Sequence, residues 1–242
     1  MDKKTNILSI ENLTASYNGK PVLYELNLQL QKGEMCCVIG EEGAGKSTLL
    51  KAITQQIKSK GKIAYNGKDL SKVPTTKMIK QGIDFIAQGG NILNGFTVEE
   101  HICLSLSERS ESEKRIVWKE IEQLFPKMIA LKKQIAGRLS GGERIILSFA
   151  CVLATDANFL VLDEPTAGLA PETCKVIGDF LLRMKNAKGK TILLLEHNYD
   201  FAFEIADSVV TLKEGSLSEK YLRNVFTQPD FVDTNLYQSA NS

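Results

Sequence analysis

The sequence predicts an α/β fold with a mostly parallel sheet, and two observations support that prediction. Three apolar runs of strand length, at 35–39, 159–164 and 191–197, alternate with segments whose apolar residues recur at helical spacing. Buried strands that alternate with helices are typical of a parallel sheet covered on both faces. A glycine-rich loop also joins the first of these strands to the helix after it.

The composition is that of an ordinary α/β protein without a strong charge bias. The 242 residues include 30 basic and 29 acidic side chains, so the net charge of +1 gives no overall signal for nucleic acid binding. The longest apolar runs have strand length, far below the roughly 20 residues that cross a bilayer. The polar start of the chain leads into a strand pattern, so we expect a cytoplasmic protein. Five cysteines without Cys-x-x-Cys spacing indicate reduced thiols rather than a metal site.

A phosphate-binding loop is predicted at 40–48, where Gly-x-x-x-x-Gly-Lys-Ser stands between a strand pattern and a helical pattern. Its glycines let the backbone turn tightly and point N–H groups inward, and the next helix adds its positive dipole end. We expect Lys46 to reach the β and γ phosphates of a nucleotide triphosphate and Ser47 to bind Mg²⁺. The loop consists of Gly40, Glu41, Glu42, Gly43, Ala44, Gly45, Lys46, Ser47 and Thr48. The helix after it is predicted from Leu49, Leu50, Ile53 and Ile57.

Two half-buried strands are predicted before the loop, at 7–13 and 26–30, the second with strict alternation of apolar and polar residues. They flank a turn at 17–20. Tyr17 in this turn is placed either to stack on an adenine ring, since aromatic side chains stack well on bases, or to pack at the end of a strand.

The pattern changes to helices without intervening strands between residue 89 and about residue 133. Thr97 and Glu100 match a capping box at the start of the first helix. A second helix follows a polar loop. His101 lies in the first helix, where we expect a partly exposed residue or a partner contact rather than a ligand-binding role.

A second phosphate-binding helix start is predicted at 139–143, where the sequence is Leu-Ser-Gly-Gly-Glu. A Ser-Gly-Gly start presents bare N–H groups and a hydroxyl, which suits a phosphate, whereas a plain helix cap needs only Ser140. Two such helix starts in one chain, separated by a helical insertion, indicate that one nucleotide is held from two sides.

Polar side chains follow the predicted strands at the edge where parallel sheets bind ligands. Asp163 and Glu164 end one strand. Because side chains alternate along a strand, we expect them to face different ways, with Asp163 supporting Mg²⁺ mostly through water and Glu164 polarising an attacking water. Gln88 follows the strand at 83–87, in reach of a metal or water. His197 stands at the carboxyl end of the strand at 191–197, where we expect it to contact the γ-phosphate rather than to be a hydrogen-bonded core histidine. The helix after Glu164 is expected to bury Val176, Ile177, Phe180, Leu181 and Met184.

These motifs resemble those of the ATP-binding subunits of ABC transporters over positions 7 to about 217. The phosphate loop, Gln88, the Leu-Ser-Gly-Gly-Glu signature, the carboxylate pair and His197 occur in the family's order. Within the family the chain is most similar to the ATPases of branched-chain amino-acid, urea and amide uptake systems. That similarity rests on segments 82–92, 96–100 and 163–171.

The resemblance implies a RecA-like phosphate-loop core with an antiparallel β subdomain, as one ATPase domain over 1–220. A helical subdomain is inserted at about 89–152, and 221–242 form a short extension in which we expect a short helix and a partly disordered tail. ATP and Mg²⁺ are the implied cofactors. Tyr17 then stacks on the adenine, Ser47 and Gln88 bind Mg²⁺ with support from Asp163, Glu164 is the base and His197 holds the γ-phosphate. The residues implied to contact ATP on an opposite protomer are Ser140, Gly141 and Gly142.

The implied function is ATP hydrolysis by a head-to-tail dimer, of two copies or of this chain with a related ATPase, which drives transport through separate membrane permease subunits. The protein would lie in the cytoplasm against the inner face of the cell membrane. The alternatives are a soluble ABC ATPase that acts on nucleic acid or ribosomes and an ATP-binding regulatory module. Three departures from the family pattern stand out. The first is Glu42 in the phosphate loop, and the second is the set of residues after the signature, Arg144-Ile145-Ile146 and Cys151. The third is the end of the chain, whose pattern does not match a regulatory domain.

Overall fold

The strands form two sheets in a computed structural model that describes residues 5–17, 19–228 and 231. The smaller sheet has the order β2-β1-β4-β5, and the larger has the order β10-β9-β3-β8-β7-β6, with β11 paired to β9. The strands are β1 (Asn6–Tyr17), β2 (Lys20–Gln31), β3 (Met35–Ile39), β4 (Ser59–Tyr65), β5 (Lys68–Asp69), β6 (Ile83–Ile86), β7 (Phe159–Asp163), β8 (Thr191–Glu196), β9 (Ser208–Lys213), β10 (Ser216–Leu217) and β11 (Tyr221–Leu222).

Helices cover the larger sheet, and four of them lie between β6 and β7. The helices are α1 (Lys46–Ile53), α2 (Val98–Ser105), α3 (Glu111–Leu124), α4 (Pro126–Ala130), α5 (Gly141–Thr155), α6 (Pro171–Lys188), α7 (Tyr199–Ile205) and α8 (Arg223–Phe226). Within the described residues no helix has the length and apolar character needed to span a membrane.

The larger sheet brings the functional loops together. Strand β3 runs parallel to both β8 and β9, and β7 runs parallel to β8 and β6. The carboxyl ends of these strands therefore meet at one edge, where open α/β sheets bind their ligands. All residues of β3, β7 and β8 are buried, which agrees with the apolar runs in the sequence and confirms the α/β fold class.

The smaller sheet is antiparallel throughout. On β2 the residues Leu26, Leu28 and Leu30 are buried while those between them are exposed, as the alternation in the sequence predicts. The apolar face of this sheet shares one core with α1 and with one face of the larger sheet. The phosphate loop is thereby held between two sheets.

Three of the helices between β6 and β7 start with a capping box, namely α2, α3 and α5. The box at Thr97 is present as predicted, and further boxes at Ser110 and Ser140 begin α3 and α5. In each box the hydroxyl accepts from a backbone N–H and a glutamate accepts from the cap's own N–H, so two free donors of the helix start are satisfied.

Two details of the predicted helices are wrong. Helix α1 ends at Ile53, so Ile57 is not part of it, although it still packs against the core. Val176 is 41% exposed on α6 rather than buried. The predicted short helix after residue 220 corresponds to α8, and the rest of the predicted tail lies outside the described residues, apart from 227, 228 and 231.

His101 is buried, with 4% of its surface exposed, which contradicts the expectation of a partly exposed residue. The N–H of Leu93 donates to His101 Nε2 at 2.9 Å, so the other ring nitrogen, Nδ1, carries the proton and donates to the Thr97 carbonyl at 2.8 Å. The ring thus ties the loop before α2 to the first turn of that helix. Both nitrogens are used, which explains how a polar ring is accommodated inside.

Candidate functional site

The phosphate loop is shaped by close backbone packing. A Cβ on Gly40 would lie 2.5 Å from the Leu212 carbonyl oxygen, and one on Gly45 would lie 2.7 Å from Leu23 Cδ2. Gly45 also has a φ of +113°, which side-chain-bearing residues rarely adopt. Glycine is therefore required at both positions for the loop to reach this conformation. Glu41, Glu42 and Gly43 are exposed on the loop, while 44–46 are buried.

A turn at Gly215 connects the smaller sheet to the phosphate loop. The Gly215 N–H donates to the Ala44 carbonyl at 3.2 Å, and the Gly215 carbonyl accepts from the Tyr24 N–H at 2.8 Å. Gly215 has a φ of +77°, and a Cβ there would lie 2.0 Å from the Val22 carbonyl oxygen. Only glycine can occupy this turn without moving one of the two sheets.

Three of the predicted site residues converge on the carboxylate of Glu164, which is itself a fourth. Lys46 Nζ lies 2.9 Å from Glu164 Oε1. The amide of Gln88 donates to Glu164 Oε2 at 3.2 Å, and His197 Nδ1 lies 3.5 Å from the same oxygen. The structure therefore brings together, at the carboxyl edge of the sheet, residues that are widely separated in the sequence.

Lys46 itself is almost completely buried, with 3% of its side chain exposed. Its ammonium donates to the carbonyls of Gly40 and Glu41 at 2.5 and 2.8 Å. These bonds hold a positive charge beneath the loop, where N–H groups and an ammonium are suited to bind phosphate oxygens.

The backbone conformation of Glu164 explains why the side chains of Asp163 and Glu164 point in different directions. Strand β7 ends at Asp163, and Glu164 has a φ of +46°, in the left-handed region. Alternation along the strand thus does not extend to Glu164, so the predicted reason for their different directions is wrong. A left-handed glutamate costs about 1–3 kcal/mol and is typical of functional sites. Here it directs the carboxylate at Lys46, Gln88 and His197.

Asp163 fits a role in holding Mg²⁺. Its Oδ1 is buried and has no hydrogen-bond partner within the described residues. Burial raises the pKa of Asp163, against an opposing effect of the Ser47 hydroxyl. A buried carboxylate oxygen without a donor, beside a hydroxyl, is a suitable ligand set for a hard cation that also binds phosphate oxygens. No cluster of three or more His, Cys, Asp and Glu side chains suited to a metal occurs in the part of the chain that is described. The residues that would hold Mg²⁺ beside a nucleotide are Ser47, Gln88 and Asp163.

Tyr17 lies at the end of β1 near the helix that follows the phosphate loop. Its side chain is 40% exposed, and Lys51 Nζ on α1 lies 5.8 Å from the ring centroid. An exposed ring close to the loop leaves a face on which an adenine can stack. Lys51 is a contact that the sequence did not reveal, because nothing in the local pattern links β1 to α1.

The signature residues Ser140, Gly141 and Gly142 are not part of the Glu164 cluster. The Ser140 N–H donates to Glu143 Oε2 at 2.8 Å, and the Ser140 hydroxyl accepts from the Glu143 N–H at 3.3 Å. Lys127 pairs with Glu143 at 2.9 Å and holds the pKa of that carboxyl below its usual range. The hydroxyl of Ser140 is an acceptor in this cap, so its proton can still be donated to another acceptor.

Sequence reasoning missed a second group of polar residues at the site. Thr166, in the loop after β7, and Glu196, the last residue of β8, are both buried, and the Thr166 hydroxyl donates to Glu196 Oε1 at 2.6 Å. Asn91 donates to the Phe85 carbonyl at 2.6 Å and accepts from the Ala87 N–H at 3.1 Å, which closes the loop that carries Gln88. A carboxylate inside an apolar strand pattern was the signal that could have identified Glu196.

Comparison with known sequences places this site in a family. The family model described as ABC transporter matches residues 23–167. The probable branched-chain amino acid transport ATP-binding protein LivF of Archaeoglobus fulgidus is 34% identical over 88% of this chain and 90% of its own length. The high-affinity branched-chain amino acid transport ATP-binding protein BraG of Pseudomonas aeruginosa is 29% identical over 87% of this chain and 91% of its own length. The methionine import ATP-binding protein MetN 1 of Bacillus cereus is 33% identical over 97% of this chain and 70% of its own length.

Solved structures show the same fold. A nucleotide-free ATP-binding cassette from an ABC transporter superposes with a TM-score of 0.80 at 26% identity, over 95% of this chain and 98% of the other. The ADP conformation of the cassette MJ1267 gives a TM-score of 0.77 at 27% identity, with the same coverage. The chain belongs to the ABC transporter family, and it is an ATP-binding subunit with ATPase activity.

Proposed function

We propose that the protein hydrolyses Mg-ATP within a head-to-tail dimer and thereby drives uptake through separate membrane permease subunits. The observation that carries this proposal is the convergence of Lys46, Gln88 and His197 on Glu164 beside the phosphate loop. In the proposed reaction Glu164 orients the attacking water, His197 holds the γ-phosphate, and Lys46 stabilises negative charge on the phosphates. Phosphoryl transfer depends mostly on such positioning and charge stabilisation.

The residues proposed to hold Mg²⁺ are Ser47, Gln88 and, mostly through water, Asp163. Mg²⁺ would neutralise charge on the β and γ phosphates. Tyr17 is proposed to stack on the adenine, and the backbone of 40–48 to surround the triphosphate.

The position of the signature supports the proposed dimer. Ser140, Gly141 and Gly142 lie at the start of a capped helix apart from the Glu164 cluster, so their free donors suit a nucleotide held by a second molecule. The proposed cassette spans 1–220 with a helical subdomain at about 89–152, and 221–242 form an extension. The partner is a second copy or a related ATPase subunit.

A permease contact is supported by apolar side chains near the Gln88 loop. Leu93, Phe96 and Leu104 are 48%, 44% and 55% exposed. Leu93 and Phe96 both contact His101, so this exposed surface is fixed to α2 rather than loose. Docking there would join permease movement to the loop that carries Gln88 and would place the protein at the inner face of the membrane.

The proposed cargo is branched-chain amino acids or related small polar solutes, because the names of two relatives, LivF and BraG, specify branched-chain amino acid transport. The nucleic-acid and regulatory alternatives have no observation in their favour.

Purification of the tagged chain from its own membranes in mild detergent tests this proposal. We expect permease subunits to be isolated with it, together with Mg²⁺-dependent ATP hydrolysis and ATP-dependent uptake of labelled leucine in reconstituted vesicles. The double variant Leu93→Ser/Phe96→Ser should lose the permease subunits while it still binds ATP. Isolation with nucleic acid instead, or an intact complex without ATP turnover, would contradict the proposal.

A further inference from the structure

Glu196 is a fully buried carboxylate that the proposed reaction does not use. It is the last residue of β8, directly before His197, and its exposed fraction is 0%. A buried charge is tolerated only when it is paired or fully hydrogen-bonded. The bonds that satisfy Glu196 therefore reveal what the side chain holds.

The carboxylate accepts four hydrogen bonds from two loops. Oε1 accepts from the Thr166 hydroxyl at 2.6 Å and from the Thr166 N–H at 3.2 Å. Oε2 accepts from the N–H groups of His197 and Asn198 at 3.1 and 3.2 Å. Because a carboxylate has about four lone-pair sites, its accepting capacity is fully used.

The backbone of the same residue reaches the phosphate loop. The Glu196 carbonyl accepts from the Gly40 N–H at 3.1 Å, and the Leu195 carbonyl accepts from the Glu164 N–H at 2.8 Å. The end of β8 thus contacts the phosphate loop, the loop that follows Glu164 and the loop that carries His197.

We propose that Glu196 is a positioning residue. Its carboxylate links the loop that carries His197 to the loop after Glu164, and so holds these two side chains in the correct positions relative to each other. The proposal rests on the proposed function, because His197 and Glu164 act on ATP only in that reaction. Glu196 itself takes no part in the chemistry. Small displacements of positioned groups lower rates strongly, so this connection acts on turnover more than on nucleotide binding.

Glu196→Gln tests the connection with a side chain of nearly the same shape. An amide has one acceptor oxygen and one NH₂ group, which is a donor. In Glu196→Gln the NH₂ group must therefore face the backbone N–H of Thr166 or those of His197 and Asn198, and those hydrogen bonds are lost. We expect kcat for ATP to fall by about tenfold or more, while KM stays within about threefold of the wild-type value.

Thr166 provides a second and milder test. Thr166→Val removes the hydroxyl and should lower kcat less than Glu196→Gln, while Thr166→Ser keeps the hydroxyl and should restore turnover. The double variant Thr166→Val/Glu196→Gln should be no slower than Glu196→Gln alone, because both changes remove the same connection.

Glu34→Gln is the matched control. Glu34 precedes β3, at the opposite edge of the sheet, and its carboxylate accepts from Ser208, from Lys220 and from the Gln31 N–H. This variant should lower the melting temperature without changing kcat of the folded protein. If Glu196→Gln behaves in the same way, with wild-type kcat, Glu196 is only structural and the proposal fails.

Amide hydrogen exchange gives a readout that does not depend on activity. The N–H groups of Thr166, His197 and Asn198 should exchange faster in Glu196→Gln than in Glu34→Gln. Unchanged exchange would overturn the proposal even in an active enzyme. A wild-type complex that fails to hydrolyse ATP would refute the proposed function, while the exchange experiment would still decide whether Glu196 holds the two loops.

Discussion

Lys46 and Glu164 form an ion pair of 2.9 Å in which the two side chains are only 3% and 12% exposed. One belongs to the phosphate loop and the other follows β7, so the pair joins the two parts of the candidate site. A nearly buried pair is sensitive to the loss of either partner, because the remaining charge is left uncompensated. Each partner can therefore be tested separately.

Replacement of Lys46 by alanine should abolish ATP hydrolysis. The variant loses the ammonium that faces the phosphates and leaves Glu164 without its cation, so we expect phosphate release to fall by about 100-fold or more. Steady-state phosphate release measures this. Lys119→Ala, on the exposed side of α3, serves as the control and should keep the wild-type rate. A rate for Lys46→Ala within about tenfold of the wild-type rate would contradict the role of Lys46 in hydrolysis.

Glu164→Gln should bind Mg-ATP but hydrolyse it slowly. The amide cannot accept a proton from water, so we expect turnover to fall by about 100- to 10,000-fold. ATP should then accumulate between two protomers, and size-exclusion chromatography should show a dimer with Mg-ATP and a monomer with ADP. Hydrolysis at the wild-type rate would show that the base is another residue.

Asp163→Asn should raise the Mg²⁺ requirement. The buried Oδ1 without a partner would lose its negative charge, and the metal would be held more weakly. We expect the Mg²⁺ concentration for half-maximal hydrolysis to rise by about tenfold or more. Asp179→Asn, an exposed change on α6, is the control, and an unchanged Mg²⁺ dependence for Asp163→Asn would refute the assignment.

Asp84→Asn should stabilise the protein at neutral pH. Asp84 is buried on β6 with bonds from the Phe85 N–H and the Thr155 hydroxyl, and burial raises its pKa above the ordinary 3.8. The folded chain therefore binds this proton more tightly than the unfolded chain. Its contribution to the free energy of unfolding falls as pH rises from the ordinary pKa through the raised one.

Thermal melts over a pH series measure this contribution. The melting temperature of Asp84→Asn should exceed that of the wild type at about pH 8, and the difference should shrink towards about pH 3, below the ordinary pKa, where Asp84 is mostly protonated in both states. A variant that is less stable at every pH would show that the carboxylate bonds outweigh the cost of burial.

The fold class could be predicted because its signals are local. Each buried strand is an apolar run, and the loop glycines mark the connection between β3 and α1. The proximity of Gln88, Asp163, Glu164 and His197 also follows from sequence, since each lies at or just after the carboxyl end of a strand in a parallel sheet. Their chemical roles stay predictions.

Other features depend on contacts between distant segments and have no local signal. His101 is buried because the Leu93 N–H and the Thr97 carbonyl satisfy its ring, and a helical pattern does not show such partners. Val176 has the right spacing but lies at the edge of the buried face of α6. The direction of Glu164 depends on a left-handed backbone that strand periodicity does not encode.

We expect the turn at Gly215 to make nucleotide affinity sensitive to residues of β2 that are not assigned to the nucleotide. Since Gly215 is bonded to Ala44 on one side and Tyr24 on the other, a distortion of β2 is transmitted to the phosphate loop. A screen for weak ATP binding should therefore recover substitutions on β2, although that strand carries no residue assigned to the nucleotide.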